Sequence, residues 1–145
     1  MVLATLPPTV HPQKLIDGFG RHVEDMRVSV IDKCNFRCTY CMPAEGLSWL
    51  KKQELLTFDE IERLVRISVE RGIREVRLTG GEPTVRAGLP ELIERLMRVS
   101  GLEGVSLTTN GFLLKKVARD LAEAGLTRIN VSLDTLVKEK FEHIT

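Results

Sequence analysis

Cysteine is scarce in this 145-residue chain, with three residues confined to positions 34 to 41. An odd, clustered set excludes the disulfide framework that staples small secreted domains. Net charge is nearly absent, at +1, so no broad field favours nucleic acid or an anionic membrane. No apolar run approaches the roughly 20 residues needed to span a bilayer. The first residues, MVLATLPPTVHPQ, lack a basic n-region and are broken by prolines, which excludes a secretory signal. Together these absences predict a cytoplasmic chain with reduced thiols, and neither nucleic acid nor membrane as a partner.

What is present suits one soluble domain. The apolar fraction is 43% and the charged fraction 28%, both ordinary for a globular protein. Residues 1–13 are expected to form a flexible arm. MRVSVI (26–31) alternates and is rich in Val, which predicts a strand. TFDEIERLVRISVERGI predicts a helix opened by a Thr57/Glu60 capping box, with Ile61, Leu64, Val65 and Val69 on one face. REVRLT (74–79) predicts a second strand and GVSLTT (104–109) a third. Between them Pro90 opens a helix that runs to Met97. A helix over 114–124, a strand over 128–134 and the start of another helix complete the pattern. This βαβαβαβα order predicts an α/β fold with parallel strands and right-handed crossovers.

Alternation along the strands divides them into two faces. One collects Val28, Val30, Val76, Leu78, Val105, Leu107, Ile129, Val131 and Leu133, and is expected to pack on the helices. The other collects Arg27, Ser29, Arg77, Thr79, Ser106, Thr108, Asn130, Ser132 and Asp134. A parallel sheet covered on both sides reads almost continuously apolar, and these strands do not. A curved sheet whose inner face lines a polar ligand cavity is therefore expected, with a flat sheet solvated on one face as the alternative.

Cys34, Cys38 and Cys41 lie in DKCNFRCTYC, a polar stretch directly after the first strand. Three buried, inert thiols would not be interleaved with Lys33, Asn35, Arg37 and Thr39. Zinc usually takes four ligands from two pairs, and the histidines at 11, 22 and 143 are remote in sequence. Thiolates at this density suit a soft centre such as an iron–sulfur cluster, and three cysteines would leave one iron open.

The Cys-x3-Cys-x2-Cys loop, with Tyr40 before its last cysteine, resembles the signature of the radical S-adenosylmethionine enzymes. RVSVIDKCNFRCTYCMP, VRLTGGEPTVR, LTTNG and INVSLDT, in that order, are similar to the GTP 3′,8-cyclase family of molybdenum cofactor biosynthesis. One departure is Ile31, where that family usually has Thr. The resemblance implies a partial parallel (βα) barrel of the radical SAM type, truncated after about four βα units, over residues 14–145. It implies that Cys34, Cys38 and Cys41 bind a [4Fe–4S] cluster whose open iron takes S-adenosylmethionine. Tyr40, Gly81 and Ser132 then contact this cofactor, and Arg27, Arg77 and Thr108 contact GTP as substrate. It implies a lyase in which a 5′-deoxyadenosyl radical removes the 3′ hydrogen of GTP and the ribose radical adds to C8 of guanine. The product is (8S)-3′,8-cyclo-7,8-dihydroguanosine 5′-triphosphate.

Some groups read less specifically. Glu82 could accept a hydrogen bond from the cofactor ammonium or merely be a charge at a helix entry. Arg27 and Arg77 could pair with Asp134 or Glu82. Asn110–Gly111 reads as a turn. The family's enzymes are longer and carry a second cluster, held by C-terminal cysteines, that helps bind guanine. The 145 residues are therefore expected to be a fragment that cleaves S-adenosylmethionine at best and does not cyclise GTP. An electron donor is an expected partner and a homodimer a possible one. A peptide-modifying maturase of the same superfamily and a non-catalytic cluster-carrying domain are the rival readings.

Overall fold

The structure is a computed structural model that describes residues 14–43 and 45–145. The arm expected over 1–13 lies outside the described residues. Four parallel strands form one sheet in the order β1-β2-β3-β4. They are β1 (Asp25–Ser29), β2 (Glu75–Thr79), β3 (Gly104–Thr109) and β4 (Arg128–Val131). Helices α1 (Phe58–Glu70), α2 (Leu89–Met97) and α3 (Leu114–Glu123) make the crossovers, and α4 (Lys138–Ile144) follows β4. The α/β expectation holds, and the strands fall where the alternation placed them, with β1 and β4 ending earlier than predicted.

Local chemistry explains the helix starts. The Glu60 N–H donates to Thr57 Oγ1 at 3.2 Å, and the Thr57 N–H donates to Glu60 Oε2 at 2.7 Å. Two of the donors that a helix start leaves without partners are thereby satisfied. Pro90 sits in the first turn of α2, where its missing N–H costs nothing. The core forms between the sheet and α1, α2 and α3. Val28, Val30, Val76, Leu78, Val105 and Leu107 meet Ile61, Val65, Leu92, Ile93, Leu96 and Leu121, all buried. Leu64, expected on the apolar face of α1, is exposed instead.

The predicted helix-facing row fails at its end. Ile129, Val131 and Leu133 are 36%, 49% and 53% exposed. The reason is the course of α4, which rises to the loop after β1 rather than packing beneath β4. Phe141 meets Phe36 edge to face at 5.6 Å. The Arg37 and Thr39 N–H groups donate to the Thr145 and Ile144 carbonyls, both at 2.9 Å.

Candidate functional site

The polar face of the sheet is real and is ordered in register. Arg27 lies beside Arg77, Arg77 beside Ser106, and Ser106 beside Arg128. Sequence reasoning missed Arg128, although the alternation that placed Asn130 on this face also places Arg128 there. Thr108 pairs with Asn130 one step further along. A cavity of about 510 Å³ opens at the N-terminal ends of the strands, lined by Glu24, Asp25, Arg74, Glu75, Arg77, Glu103 and Arg128. Of the residues expected to contact substrate or cofactor, it brings in Arg77 alone. Several of its charges pair internally: Arg128 Nη2 lies 2.9 Å from Glu75 and Arg74 Nε 3.8 Å from Glu103. Arg77 Nε is buried with no hydrogen-bond partner among the described residues. The two carboxylates weighed as partners for these arginines are engaged elsewhere, Asp134 with Tyr40 and Glu82 with β3.

The cysteine loop sits at the opposite, C-terminal end of the strands, where open parallel sheets place their ligands. All three thiols are free; Cys34 and Cys38 are half-buried and Cys41 is exposed. Burial pushes the Cys38 thiol up, and the neighbouring charges of Cys34 and Cys41 push it further. Cys34 and Cys41 thus both lie near enough to Cys38 for their charges to act on it. Among the described residues, no three side chains of His, Cys, Asp or Glu converge as ligands of a single ion would. A cubane cluster asks for something else, because each thiolate binds its own iron. Three soft, free sulfurs on one loop fit such a cluster.

The loop is held by the two glycines after β2. A Cβ on Gly80 would lie 2.2 Å from the Ile31 carbonyl oxygen, and one on Gly81 would lie 2.3 Å from that of Lys33. Gly80 also adopts φ +151°, which disfavours any side chain. The Gly81 N–H donates to Ile31 O at 2.7 Å and the Glu82 N–H to Lys33 O at 2.8 Å. The absence of side chains at Gly80 and Gly81 therefore admits the cysteine loop. What Gly81 can still offer a ligand is its carbonyl.

Of the two readings open for Glu82, the structure shows the charge at a helix entry: its side chain caps the short turn Pro83–Val85. Glu82 is 1% exposed, and four donors converge on its carboxylate. The Thr84 N–H (3.0 Å), the Thr84 hydroxyl (2.5 Å) and the Thr109 hydroxyl (2.6 Å) donate to Oε1, and the Asn110 N–H (2.7 Å) donates to Oε2. The carboxylate is thereby committed to the protein, and it ties the β2 exit to the β3 exit. Tyr40 donates its hydroxyl to Asp134 at 2.9 Å, which pushes the phenol up to about 12. Ser132, exposed, is anchored by its N–H to Thr109 O at 2.8 Å. Tyr40 and Ser132 thus converge on the segment that follows β4.

Arg86, the last residue of the VRLTGGEPTVR stretch, braces this end of the sheet. Its guanidinium donates to the carbonyls of Val30 and Leu56 and lies 4.8 Å from the centre of the Phe58 ring. Burial holds it below the usual arginine range.

The chain is similar to known proteins along nearly its whole length. It is 51% identical over 130 residues to a GTP 3′,8-cyclase of Thermodesulfovibrio yellowstonii, covering 89% of this chain and 40% of that protein. It is 54% identical over 132 residues to the GTP 3′,8-cyclase of Streptomyces coelicolor, covering 90% and 39%. It is 50% identical over 131 residues to molybdenum cofactor biosynthesis protein 1 of Drosophila melanogaster, covering 90% and 23%. The chain therefore spans about 40% or less of the length of these relatives. Among solved structures, BtrN in complex with AdoMet and 2-DOIA superposes with a TM-score of 0.62 at 21% identity, covering 91% of this chain and 51% of BtrN. SuiB of Streptococcus suis, bound to its precursor peptide SuiA, superposes with a TM-score of 0.65 at 22% identity, covering 83% and 26%. Those two likenesses carry the fold. The Radical SAM superfamily profile matches residues 28–145, and the chain belongs to that superfamily.

Proposed function

We propose that these 145 residues supply the radical-generating part of a GTP 3′,8-cyclase of molybdenum cofactor biosynthesis. The observation that carries this reading is identity of about half to GTP 3′,8-cyclases over nine-tenths of the chain. The superfamily's cofactors are a [4Fe–4S] cluster and S-adenosylmethionine. Cys34, Cys38 and Cys41 would hold the cluster at the C-terminal end of the sheet. Held there, the cluster would supply the electron for reductive cleavage of S-adenosylmethionine.

The chain's own residues then bind and orient. Tyr40, with its hydroxyl committed to Asp134, presents its ring rather than a proton to the cofactor. Gly81 offers its carbonyl, and Ser132 a hydroxyl from the exit of β4. Arg27 and Arg77, side by side on the polar face, suit the phosphates of GTP because a guanidinium fork matches phosphate oxygens. The buried, unpartnered Nε of Arg77 supports an anionic ligand on this face. Thr108 lies one step nearer the cysteine loop, where the ribose would sit between the phosphates and the cluster. An electron donor, a cytoplasmic location and a possible homodimer belong to the same proposal.

The test is anaerobic reconstitution followed by assay with a chemical reductant. Iron uptake of about four per chain is expected, and Cys34→Ala, Cys38→Ala or Cys41→Ala should each abolish it. Slow release of 5′-deoxyadenosine is expected from the 145-residue chain without the cyclised nucleotide, because hydrogen abstraction needs the sugar held to a fraction of an ångström and these residues match only about 40% of the length of the cyclases. Stoichiometric zinc with no iron uptake would overturn the cluster reading. Cyclised nucleotide from the 145-residue chain would overturn the account of substrate positioning.

A further inference from the structure

Asn110, which the sequence presents as half of a turn, ties the exits of β2 and β3 to the cysteine loop through its N–H and its side-chain amide. Its N–H donates to Glu82 Oε2 at 2.7 Å. Its Oδ1 accepts the Phe112 N–H at 3.0 Å. With the oxygen engaged there, the amide nitrogen faces the other way, toward the cysteine loop. That Nδ2 donates to Asn35 Oδ1 at 2.9 Å and reaches Cys34 Sγ at 4.0 Å, the outer edge of N–H···S contact. Cys34 Sγ also accepts the Phe36 N–H at 3.4 Å. Phe36 packs edge to face on Phe112 at 5.7 Å, so the two loops are clamped on both sides of the contact.

We propose that Asn110 is a positioning residue for the cluster, holding the Cys34 sulfur through its side-chain amide and raising the midpoint potential of the iron–sulfur centre. The inference rests on the assignment of Cys34 as a cluster ligand. Its physical basis is general. Reduction adds negative charge that spreads onto the ligand sulfurs, and an N–H dipole aimed at such a sulfur stabilises the reduced form more than the oxidised one. The buried Glu82 carboxylate matters because it fixes the backbone from which this amide projects. Glu82 is thereby linked to Cys34 through Asn110.

The experiment is a dye-mediated redox titration of the anaerobically reconstituted 145-residue chain, followed by electron paramagnetic resonance, with iron counted in the same samples. Asn110→Ala removes the donor. Asn110→Asp keeps the shape and the acceptor for the Phe112 N–H but replaces the NH2 by an oxygen. Asn35→Ala removes the other partner of the amide and leaves the sulfur contact in place. Full iron content is expected in Asn110→Ala and Asn35→Ala. A lower midpoint is expected in Asn110→Ala, a lower one still in any Asn110→Asp protein that holds iron, and the wild-type value in Asn35→Ala. At 4.0 Å the shift should not exceed a tenfold change in the reduction equilibrium, about 59 mV for one electron. The wild-type midpoint in an iron-loaded Asn110→Ala would overturn the proposal, and so would loss of iron from both Asn110 variants, which would make Asn110 a folding residue only. Retention of iron by Cys34→Ala would instead overturn the ligand assignment beneath it, so the two failures are distinguishable.

Discussion

At the scale of single residues, short-range signals and long-range ones behave differently. The three cysteines fall within eight positions, so their spacing alone announces a soft-metal loop. Glu82 carries only part of its signal locally, since Thr84 two positions on supplies two of its four donors. Its partner Thr109 is 27 positions away, and nothing local separates a carboxylate that faces a ligand from one folded beneath a loop. Asn110 meets Asn35 across 75 positions and reads locally as a turn for the same reason. The Glu82 node leads to a measurable expectation. Glu82→Gln keeps the shape but leaves one oxygen and one NH2 where four donors converge, so at least one buried donor loses its acceptor. The cost should be about 1–3 kcal/mol, read as a lower urea midpoint. Thr109→Val removes one of the four donors and the acceptor of the Gly111 N–H, and should also lower the midpoint, at a cost of about 1–3 kcal/mol. A Glu82→Gln protein as stable as the wild type would show that the carboxylate is not what joins the β2 and β3 exits.

At the scale of elements, α1 and α2 were legible from periodicity and caps, but the link between them was not. Arg95 of α2 reaches Asp59 and Glu62 of α1, with its Nη2 2.9 Å from Glu62 Oε2. These are surface positions 33 or more residues apart, and no alternation rule pairs them. Arg95 holds the Glu62 carboxyl below the ordinary range, and the Thr57 cap holds Glu60 below it. A carboxyl depressed in the folded state contributes stability above its unfolded value, near 4.5 here, and loses it as pH falls through the folded value. The urea midpoint should therefore decline as pH is lowered through 4.5, and the decline should be shallower in Arg95→Ala, whose midpoint near neutral pH should already be lower. High salt should also weaken the pair, since both partners are partly exposed. An Arg95→Ala protein with an unaltered pH profile would mean that the bridge contributes nothing to the folded state.

At the scale of the whole molecule, the sheet has two edges and they are not alike. β1 presents Asp25 and Arg27, and charge on an edge strand opposes pairing with another chain. β4 presents Ile129 and Val131, with Leu133 and the 92% exposed Leu136 beyond it. Beside it an apolar groove of about 270 Å³ runs between α3 and β4, lined by Leu114, Ala118, Leu121, Leu126 and Ile129 among others. Alternation put Ile129 and Val131 in register with the buried row of β3, but it could not show that α4 turns toward the cysteine loop and leaves them without the helix cover expected. Unpaired backbone beside exposed apolar side chains favours self-association, because burial stabilises by roughly 25 cal/mol per Å² of apolar surface. The 145-residue chain on its own should therefore associate as its concentration rises, through β4 rather than β1. Light scattering on a dilution series should show the mass falling toward 16.3 kDa. Ile129→Lys with Val131→Lys should shift the curve to higher concentration, because a lysine on an edge strand must lose its hydration to be covered. A lysine at an exposed position of β1, Ser29→Lys, should leave the association unaltered. A wild-type chain that stays monomeric across the series would mean that the β4 face is better shielded in solution than its exposure indicates.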